Sequence, residues 1–357
     1  MSWRKNLLKF SNRHISRRAF LKNSSLALPF ILFPQSLSAI LLKEQFIHRT
    51  AFAMGTTVSI QAYHPERMLL QQALSKAFDE LYRLDNLLSG YKNESDISAI
   101  NRSAGTSDIH VHADVIEILQ KTIQYSKETN GIFDCTIEPL MKLWGFRNTT
   151  VTKIPSDSEI QSTLDAVGYK NISVDEKENS VGLLNQYSSI DLGGIAVGYT
   201  VDKMAAILKS EGIESALINH SGDLFAIGAP PELDGWKIGI PSPTNQSEFI
   251  AELNLKNQSL STSGSYEKFT EIEFQKFGHI VDSFSGKPAT RNLSVSVISN
   301  MSITSDVLST AIFCQEFAML NLKKFQEQLE VLVVDHRNDI KHFHYNPTEQ
   351  SSYLVES

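Results

Sequence analysis

The sequence predicts an α+β fold, because predicted strands and helices come in runs along the chain rather than in strict alternation. The composition is that of a globular protein, with 41% of the 357 residues hydrophobic and 20% charged. This length accommodates one large domain, or two subdomains that share one cleft. No repeat or low-complexity linker marks a further boundary. We assign residues 40–346 to the domain and expect residues 347–357 to be a disordered tail.

Residues 1–39 are arranged like an export signal. They contain seven Lys and Arg residues, no acidic residue, a short apolar run over 26–33 and small residues after it. Arg17 and Arg18, followed by Ala-Phe-Leu-Lys, resemble a twin-arginine signal, which is a transport address rather than an anchor. The alternative is an uncleaved N-terminal anchor, for which the apolar run is short. We therefore expect export to the periplasm.

Charge and cysteine content exclude several classes of function. The formal net charge is −7, and removal of the seven cations of the signal leaves −14 for the rest. So acidic a chain is a poor partner for nucleic acid or for an anionic membrane. Cys135 and Cys314 lie beside apolar residues, and we interpret them as buried free thiols. No spacing of Cys and His suggests a zinc site.

Hydrophobic periodicity assigns the elements of the first half of the chain. Val58, Ile60 and Ala62 alternate with polar residues, as in a half-buried strand. Leucines at helical spacing then predict a long amphipathic helix. Asp114 is placed as the N-cap of the next helix. The elements predicted here are a strand over 54–63, a helix over 70–88, a helix that ends before 129–131, a helix near 159–167 and a strand near Ile172.

Two adjacent glycines open the second half. Gly193 and Gly194 separate an apolar run that ends at Ile190 from a helical pattern that ends at Gly212. A glycine turn before a helix brings backbone N–H groups and the positive helix end close to a ligand, as in phosphate sites. The segment matches neither the Walker nor the dinucleotide motif. The elements predicted after this helix are strands at 216–219, 224–227, 236–240, 249–255, 271–274 and 293–298, a helix at 306–315, a helix near 322–329 and a strand at 331–334.

Three more polar segments interrupt the pattern. Residues 219–223 form a tight turn after a strand, and residues 261–266 form a hydroxyl-rich loop. Asp306 and Thr310 are four residues apart and share one helix face. A carboxylate and a hydroxyl suit magnesium or calcium. On spacing alone, we prefer the simpler explanation that Asp306 or Ser305 caps the helix.

Together, the segments resemble the ApbE family, the FAD:protein FMN transferases. They occur in family order and cover roughly residues 50–335. The matching segments are 54–56, 91–97, 131–134 with 143–146, 191–202, 221–223, 261–266, 278–282 with 285–288, and 305–311. The resemblance implies an ApbE-like, T-fold-like mixed α/β domain with a single FAD cleft.

The resemblance also implies a reaction and its residues. FMN would pass from FAD to a threonine or serine hydroxyl of a target protein, in a magnesium-dependent step that releases AMP. The implied metal ligands are the Ala196 carbonyl, the Asp306 carboxylate and the Thr310 hydroxyl. The implied FAD-binding residues are Met54, Tyr91, Gly222, Asp223, Ser263, Gly264, Ser265 and His279. His279 and Asp306 are the implied catalytic residues, with His279 either the base or a phosphate-binding group.

The chain departs from the family pattern at several positions. Val197 stands where lysine is frequent, Ser221 replaces the first glycine of Gly-Gly-Asp, and Cys135 replaces a proline. None of these changes removes a metal ligand. We interpret His220, which precedes Ser221, as surface or structural.

Two alternative functions stay open. One is an FAD pyrophosphatase, in which water replaces the acceptor hydroxyl and gives FMN and AMP. The other is a flavin-binding or assembly module that performs no chemistry. For a transferase, the expected protein partner is an FMN-binding domain of a membrane redox complex or a respiratory maturation factor.

Overall fold

The computed structural model describes residues 45–147, 150–265, 268–317, 320 and 324–348, together with the backbone of residues 8–9, 15–16 and 351–355. The rest of the predicted export signal lies outside the described residues. Within the described part, no helix has the length and apolar character needed to cross a membrane.

The described residues form seven α-helices. The longest buries one apolar stripe, which includes Leu70, Leu74 and Phe78, as its periodicity predicts. The helices are α1 (Arg67–Leu88), α2 (Asp96–Arg102), α3 (Ala113–Glu128), α4 (Glu138–Leu143), α5 (Asp157–Leu164), α6 (Ala196–Ser210) and α7 (Ser302–Cys314). The predicted N-cap of α3 is wrong by two residues. His112 is the cap, and its Nδ1 accepts the N–H of Asp114 at 3.2 Å.

Antiparallel pairing dominates the strands of the described part. The strands are β1 (Leu8–Lys9), β2 (Ile15–Ser16), β3 (Gln45–Ala53), β4 (Thr56–His64), β5 (Ile109–His110), β6 (Ile172–Asp175), β7 (Ser180–Leu183), β8 (Ser215–His220), β9 (Asp223–Ile227), β10 (Trp236–Pro241), β11 (Glu248–Leu255), β12 (Gln258–Gly264), β13 (Phe269–Ile272), β14 (Gln275–Gly278), β15 (Asn292–Ser299), β16 (Leu329–Asp335), β17 (Ile340–Asn346) and β18 (Ser351–Val355). Nine of these described strands form one sheet in the order β18-β17-β16-β15-β12-β9-β8-β4-β3.

The two faces of this sheet are covered differently. On one face, Val58, Ile60 and Ala62 of β4 pack with apolar residues of α1 and α6. On the other face, β10 and β11 cover the sheet, with Trp236 and Ile238 in the core. α7 lies under β12 and β15, on the side of α6. An antiparallel sheet with its helices segregated confirms the predicted α+β class.

Three predicted elements differ in the structure. The hydroxyl-rich loop at 261–266 is largely strand β12, whose serines are buried against α7. The strand predicted at 271–274 crosses a hairpin turn, because Glu273 and Phe274 have φ of 51° and 63° and reverse the chain between β13 and β14. The helix predicted near 322–329 is wrong at its end, since Leu329 begins β16.

The described backbone near the C-terminus contains one more strand. Residues 351–355 form β18 and pair antiparallel with β17. An edge strand carries unpaired N–H and C=O groups, and a chain that turns back beside it satisfies them. The disordered tail over residues 347–357 stays a prediction, and residues 349–350 and 356–357 of it lie outside the described residues.

Candidate active site

The start of α7 is fixed by a carboxylate from α6. Asp202 accepts hydrogen bonds from the backbone N–H groups of Ser302 at 2.8 Å and Ile303 at 2.9 Å. A carboxylate at this position satisfies free N–H groups and complements the helix dipole. Burial raises the pKa of Asp202 to about 6. The explanation that Asp306 or Ser305 caps this helix is therefore wrong, because both lie inside it.

Asp306 lies on the second turn of α7 and faces the first turn of α6. Its side chain is buried, and Oδ2 accepts a hydrogen bond from the N–H of Gly198 at 2.9 Å. The described residues offer no hydrogen bond to Oδ1. Burial, followed by the nearby charge of Asp202, raises the pKa of Asp306 above the usual range of an aspartate. A buried carboxylate with a spare oxygen calls for a cation or a proton.

Thr310, one turn later on the same face, meets the glycine turn. A Cβ on Gly194 would lie 3.3 Å from Thr310 Oγ1, so the backbone approaches this hydroxyl closely. Ala196 lies between Gly194 and Gly198 and begins α6, and its carbonyl accepts a hydrogen bond from Thr200 Oγ1 at 2.7 Å. The Asp306 carboxylate and the Thr310 hydroxyl therefore lie against Gly198 and Gly194, the two glycines that flank Ala196. All three donors are oxygens, which fits a magnesium ion.

Gly198 allows the close contact between α6 and α7. A Cβ at this position would lie 2.4 Å from the Ser302 carbonyl oxygen and 2.8 Å from Asp306 Cβ. We expect Gly198→Ala to lower the free energy of unfolding by about 1–3 kcal/mol, the cost of overpacking. Urea denaturation measures this change. Gly90→Ala is the control, because a Cβ there meets no atom within 4 Å. An unchanged midpoint for Gly198→Ala would contradict the tight contact.

The serines of β12 extend the site along the sheet. Ser263 Oγ lies 2.8 Å from Ser309 Oγ and 3.4 Å from Thr310 Oγ1. Ser261 Oγ donates a hydrogen bond to Asp223 Oδ1 on the neighbouring strand β9. Buried hydroxyls need such partners. Two predicted FAD-binding residues, Ser263 and Asp223, therefore lie on adjacent strands, with Ser263 beside Thr310.

Other predicted FAD-binding positions lie at chain turns. Gly222, with a φ of 104°, turns the chain between β8 and β9, a conformation that favours glycine. This turn lies beside the turn between β3 and β4, since Thr56 Oγ1 donates a hydrogen bond to Ser221 Oγ at 2.9 Å. Gly264 is the last residue of β12, and Ser265 follows it.

Met54 and Tyr91 are held by different parts of the molecule. Met54 has a φ of 51° at the turn before β4, and its Sδ lies 3.7 Å from Thr200 Oγ1. Tyr91 follows α1, and its side chain is 65% exposed. Lys92 holds this loop to α1 through a 2.7 Å bond to Asp85 Oδ2. A thioether and an exposed aromatic face both suit a flat conjugated ligand.

His279 follows β14, in a partly buried position that favours the neutral imidazole. Nδ1 lies 3.2 Å from the carbonyl oxygen of Lys268, and we therefore assign the ring proton to Nδ1. Nε2 is then an acceptor. Burial, followed by the charge of Lys268, lowers the pKa of His279 to about 4. Among the described residues Nε2 has no hydrogen-bond partner, and a neutral imidazole with such an acceptor nitrogen has the form required of a general base.

Arg147 is a site residue that the sequence patterns miss. Its guanidinium donates hydrogen bonds to Glu138, Asp191 and the Tyr91 hydroxyl. Burial, followed by the charge of Asp191, raises the pKa of Glu138. In the sequence, Arg147 directly follows the segment 143–146 that resembles the family. The spacing of Arg147 from Glu138 and Asp191 in the sequence does not indicate that it binds their carboxylates.

Three residues interpreted as buried or structural are in the core. Cys135 and Cys314 are buried free thiols, which confirms the prediction, and burial raises the pKa of both. His220 is fully buried, so it is structural rather than a surface residue. Burial lowers the pKa of His220 to about 4.

The chain is similar to known flavin transferases along most of its length. Residues 54–333 match the sequence model of the ApbE family. Over 268 residues the chain is 31% identical to the FAD:protein FMN transferase of Klebsiella pneumoniae (strain 342), covering 74% of this chain and 81% of that protein. Over 233 residues it is 29% identical to the FAD:protein FMN transferase of Escherichia coli (strain K12), covering 64% of this chain and 66% of that protein.

Solved structures of similar proteins share the fold. The crystal structure of the ApbE protein from Thermotoga maritima has a TM-score of 0.75 and 28% identity, covering 83% of this chain and 96% of that one. The flavinyl transferase ApbE from Pseudomonas stutzeri, in its apo form, has a TM-score of 0.70 and 26% identity, covering 88% of this chain and 95% of that one.

Proposed function

This chain belongs to the ApbE family, and on that premise we propose that it is an FAD:protein FMN transferase. It transfers FMN from FAD to a threonine or serine hydroxyl of a target protein and releases AMP. The observation that carries the proposal is the junction of α6 and α7. There the Asp306 carboxylate contacts Gly198 and the Thr310 hydroxyl lies close to Gly194, so two oxygen-bearing side chains face a backbone that approaches closely.

Magnesium is the ion that we propose for this junction. The Asp306 carboxylate, the Thr310 hydroxyl and the Ala196 carbonyl would hold it. When bound, magnesium would neutralise the charge that develops on the pyrophosphate. The buried Asp306 carboxylate supports this proposal, because one of its oxygens accepts no hydrogen bond from the described residues and a bound cation would compensate its charge.

His279 is proposed to act as the general base that deprotonates the acceptor hydroxyl. Its Nε2 takes the hydroxyl proton while the hydroxyl oxygen attacks the phosphorus of the FMN half of FAD. The bond from that phosphorus to the oxygen of AMP breaks, and AMP leaves with the electron pair. Phosphoryl transfer depends on such placement more than on covalent help from the enzyme. The residues proposed to hold FAD are Met54, Tyr91, Gly222, Asp223, Ser263, Gly264 and Ser265.

The test combines the full chain with FAD, Mg²⁺ and a candidate FMN-binding domain. We expect flavin fluorescence that stays with the acceptor after denaturing electrophoresis and that is lost when EDTA removes the metal. FMN and AMP formed equally without an acceptor would instead indicate a pyrophosphatase. FAD binding with no covalent flavin for any acceptor would indicate a module without chemistry. Either result would overturn the proposal.

We also propose where the protein acts and on what. Residues 1–39 would direct export to the periplasm through the twin-arginine route, and the acceptor would be an FMN-binding domain of a membrane redox complex or a respiratory maturation factor. The support is the signal-like layout around Arg17 and Arg18. Cell fractionation of a variant with Arg17→Lys and Arg18→Lys tests it. Undiminished export of that variant would contradict the twin-arginine route.

A further inference from the structure

Arg147 connects three separate segments of the candidate site. Its side chain is 16% exposed, and Nε donates a hydrogen bond to Glu138 Oε2, at the start of α4, at 2.7 Å. One terminal nitrogen donates to Asp191 Oδ2, at the start of the glycine turn. The other donates to the hydroxyl of Tyr91, in the loop after α1, at 2.7 Å.

The guanidinium is nearly saturated by these contacts. The nitrogen that binds Tyr91 also donates to the carbonyl oxygen of Phe146 at 3.3 Å. An arginine side chain has five N–H donors, so four are already used by the protein. Arg147 therefore links segments of the protein through its hydrogen bonds, and it has little capacity left to bind a phosphate directly.

Tyr91 is the first group that the hydrogen bonds of Arg147 position. Its ring is largely exposed, yet its hydroxyl is fixed by Arg147, and the guanidinium carbon lies 5.2 Å from the ring centre. An exposed ring held at its far end offers a ready surface on which a flat ligand can stack. Without the hydrogen bond, ligand binding would have to immobilise the side chain, which lowers affinity.

Asp191 is the second group that the hydrogen bonds of Arg147 position. Its Oδ1 accepts the N–H of Gly193 at 3.0 Å, so the same carboxylate shapes the glycine turn. Glu138 is buried, and burial, followed by the charge of Asp191, raises its pKa. Arg147 is the cation between these two carboxylates. Without it, they would repel each other and a phosphate that approaches the turn.

We propose that Arg147 is a positioning residue that sets the affinity of the site for FAD by holding the Tyr91 ring and the Asp191 turn in one arrangement. This inference rests on the proposed function, because it concerns how that site holds its substrate. The residue acts through Tyr91 and Asp191 and does not touch the reacting atoms.

The experiment compares Arg147→Lys, Tyr91→Phe and the double variant in the full chain. FAD binding is titrated with Mg²⁺ present, and kcat and KM are measured for FMN transfer. We expect each single change to raise the Kd for FAD on the order of tenfold, with kcat within about twofold. We expect the double variant to bind no more weakly than Arg147→Lys, because both changes remove the same hydrogen bond.

Arg83→Lys is the matched control. Arg83 binds Glu80 and Asp114 at 2.7 Å each, between α1 and α3, so it has the same chemistry outside the site. Its variant should bind FAD like the wild type. If Arg147→Lys binds FAD as tightly as the wild type, or if the Tyr91→Phe effect is undiminished in the double variant, the inference is overturned. A wild-type chain that binds FAD but transfers no FMN would contradict only the proposed function, whereas one that binds no FAD overturns both.

Discussion

Replacing Asp306 with asparagine is expected to reduce FMN transfer by about 100-fold or more, because one charged ligand is lost from a site that neutralises a pyrophosphate. Asparagine has the same shape and still offers an oxygen to the Gly198 N–H. The fold should therefore persist. Burial already disfavours the charged carboxylate, so we expect the metal-free variant to unfold at the same temperature as the wild type or higher. Initial transfer rates across a magnesium titration, together with calorimetry, measure both effects.

Asp335→Asn is the control for this prediction. Asp335 is also a buried aspartate, but it lies on β16, where Oδ1 accepts the N–H groups of Arg337 and Asp339 at 2.9 and 3.0 Å. Its variant should keep the wild-type dependence on magnesium. Asp306→Asn with wild-type activity and an unchanged magnesium requirement would show that the metal does not bind at the junction of α6 and α7.

Replacing His279 with alanine is expected to lower kcat by about 10²–10⁴-fold, the usual contribution of a general base. The Kd for FAD should change little, because the proposed role concerns the acceptor hydroxyl. If FAD binding weakens and kcat is preserved, His279 is instead a phosphate-binding group. His110→Ala is the control, since His110 is exposed on β5 and its Nδ1 lies 2.9 Å from the Glu178 carbonyl.

The pH dependence gives a second test of His279. Its pKa is lowered to about 4, so the imidazole is neutral and able to accept a proton above that value. We expect the rate to be level from about pH 6 to 8 and to fall as the pH approaches 4. The folded state binds fewer protons on this group than the unfolded state between about pH 6.5 and 4, so His279 also makes the fold less stable as the pH falls through that window. A rate that falls with a midpoint near 6.5 would contradict the buried environment.

Much of the fold was predictable because its elements carry ordinary periodic patterns. The alternation of Val58, Ile60 and Ala62 identifies β4, and the long apolar stripe identifies α1. Strand β12 was not predictable in this way, because Ser261 and Ser263 are polar although the strand is buried. Their partners are hydroxyls of α7 and the Asp223 carboxylate, which local sequence does not reveal.

The candidate site was likewise predictable only where its residues are close together in the sequence. The spacing of Asp306 and Thr310 predicts that they share a helix face, and the structure confirms it. Spacing alone favoured a capping role, and that was wrong. The helix begins at Ser302 because Asp202 supplies the cap from 100 residues away.

By itself, the sequence determined the family, the order of its segments and the residues that share a helix face, because each of these is written in neighbouring positions. Only the tertiary structure decided that Gly198 brings α6 against Asp306, that Asp202 starts α7 and that Arg147 joins Tyr91 to Asp191. The physical reason is that short-range hydrogen bonds and steric contacts act between groups a few ångströms apart in space. Local spacing does not encode which distant segments meet, since the packing of the whole sheet and its helices sets those distances.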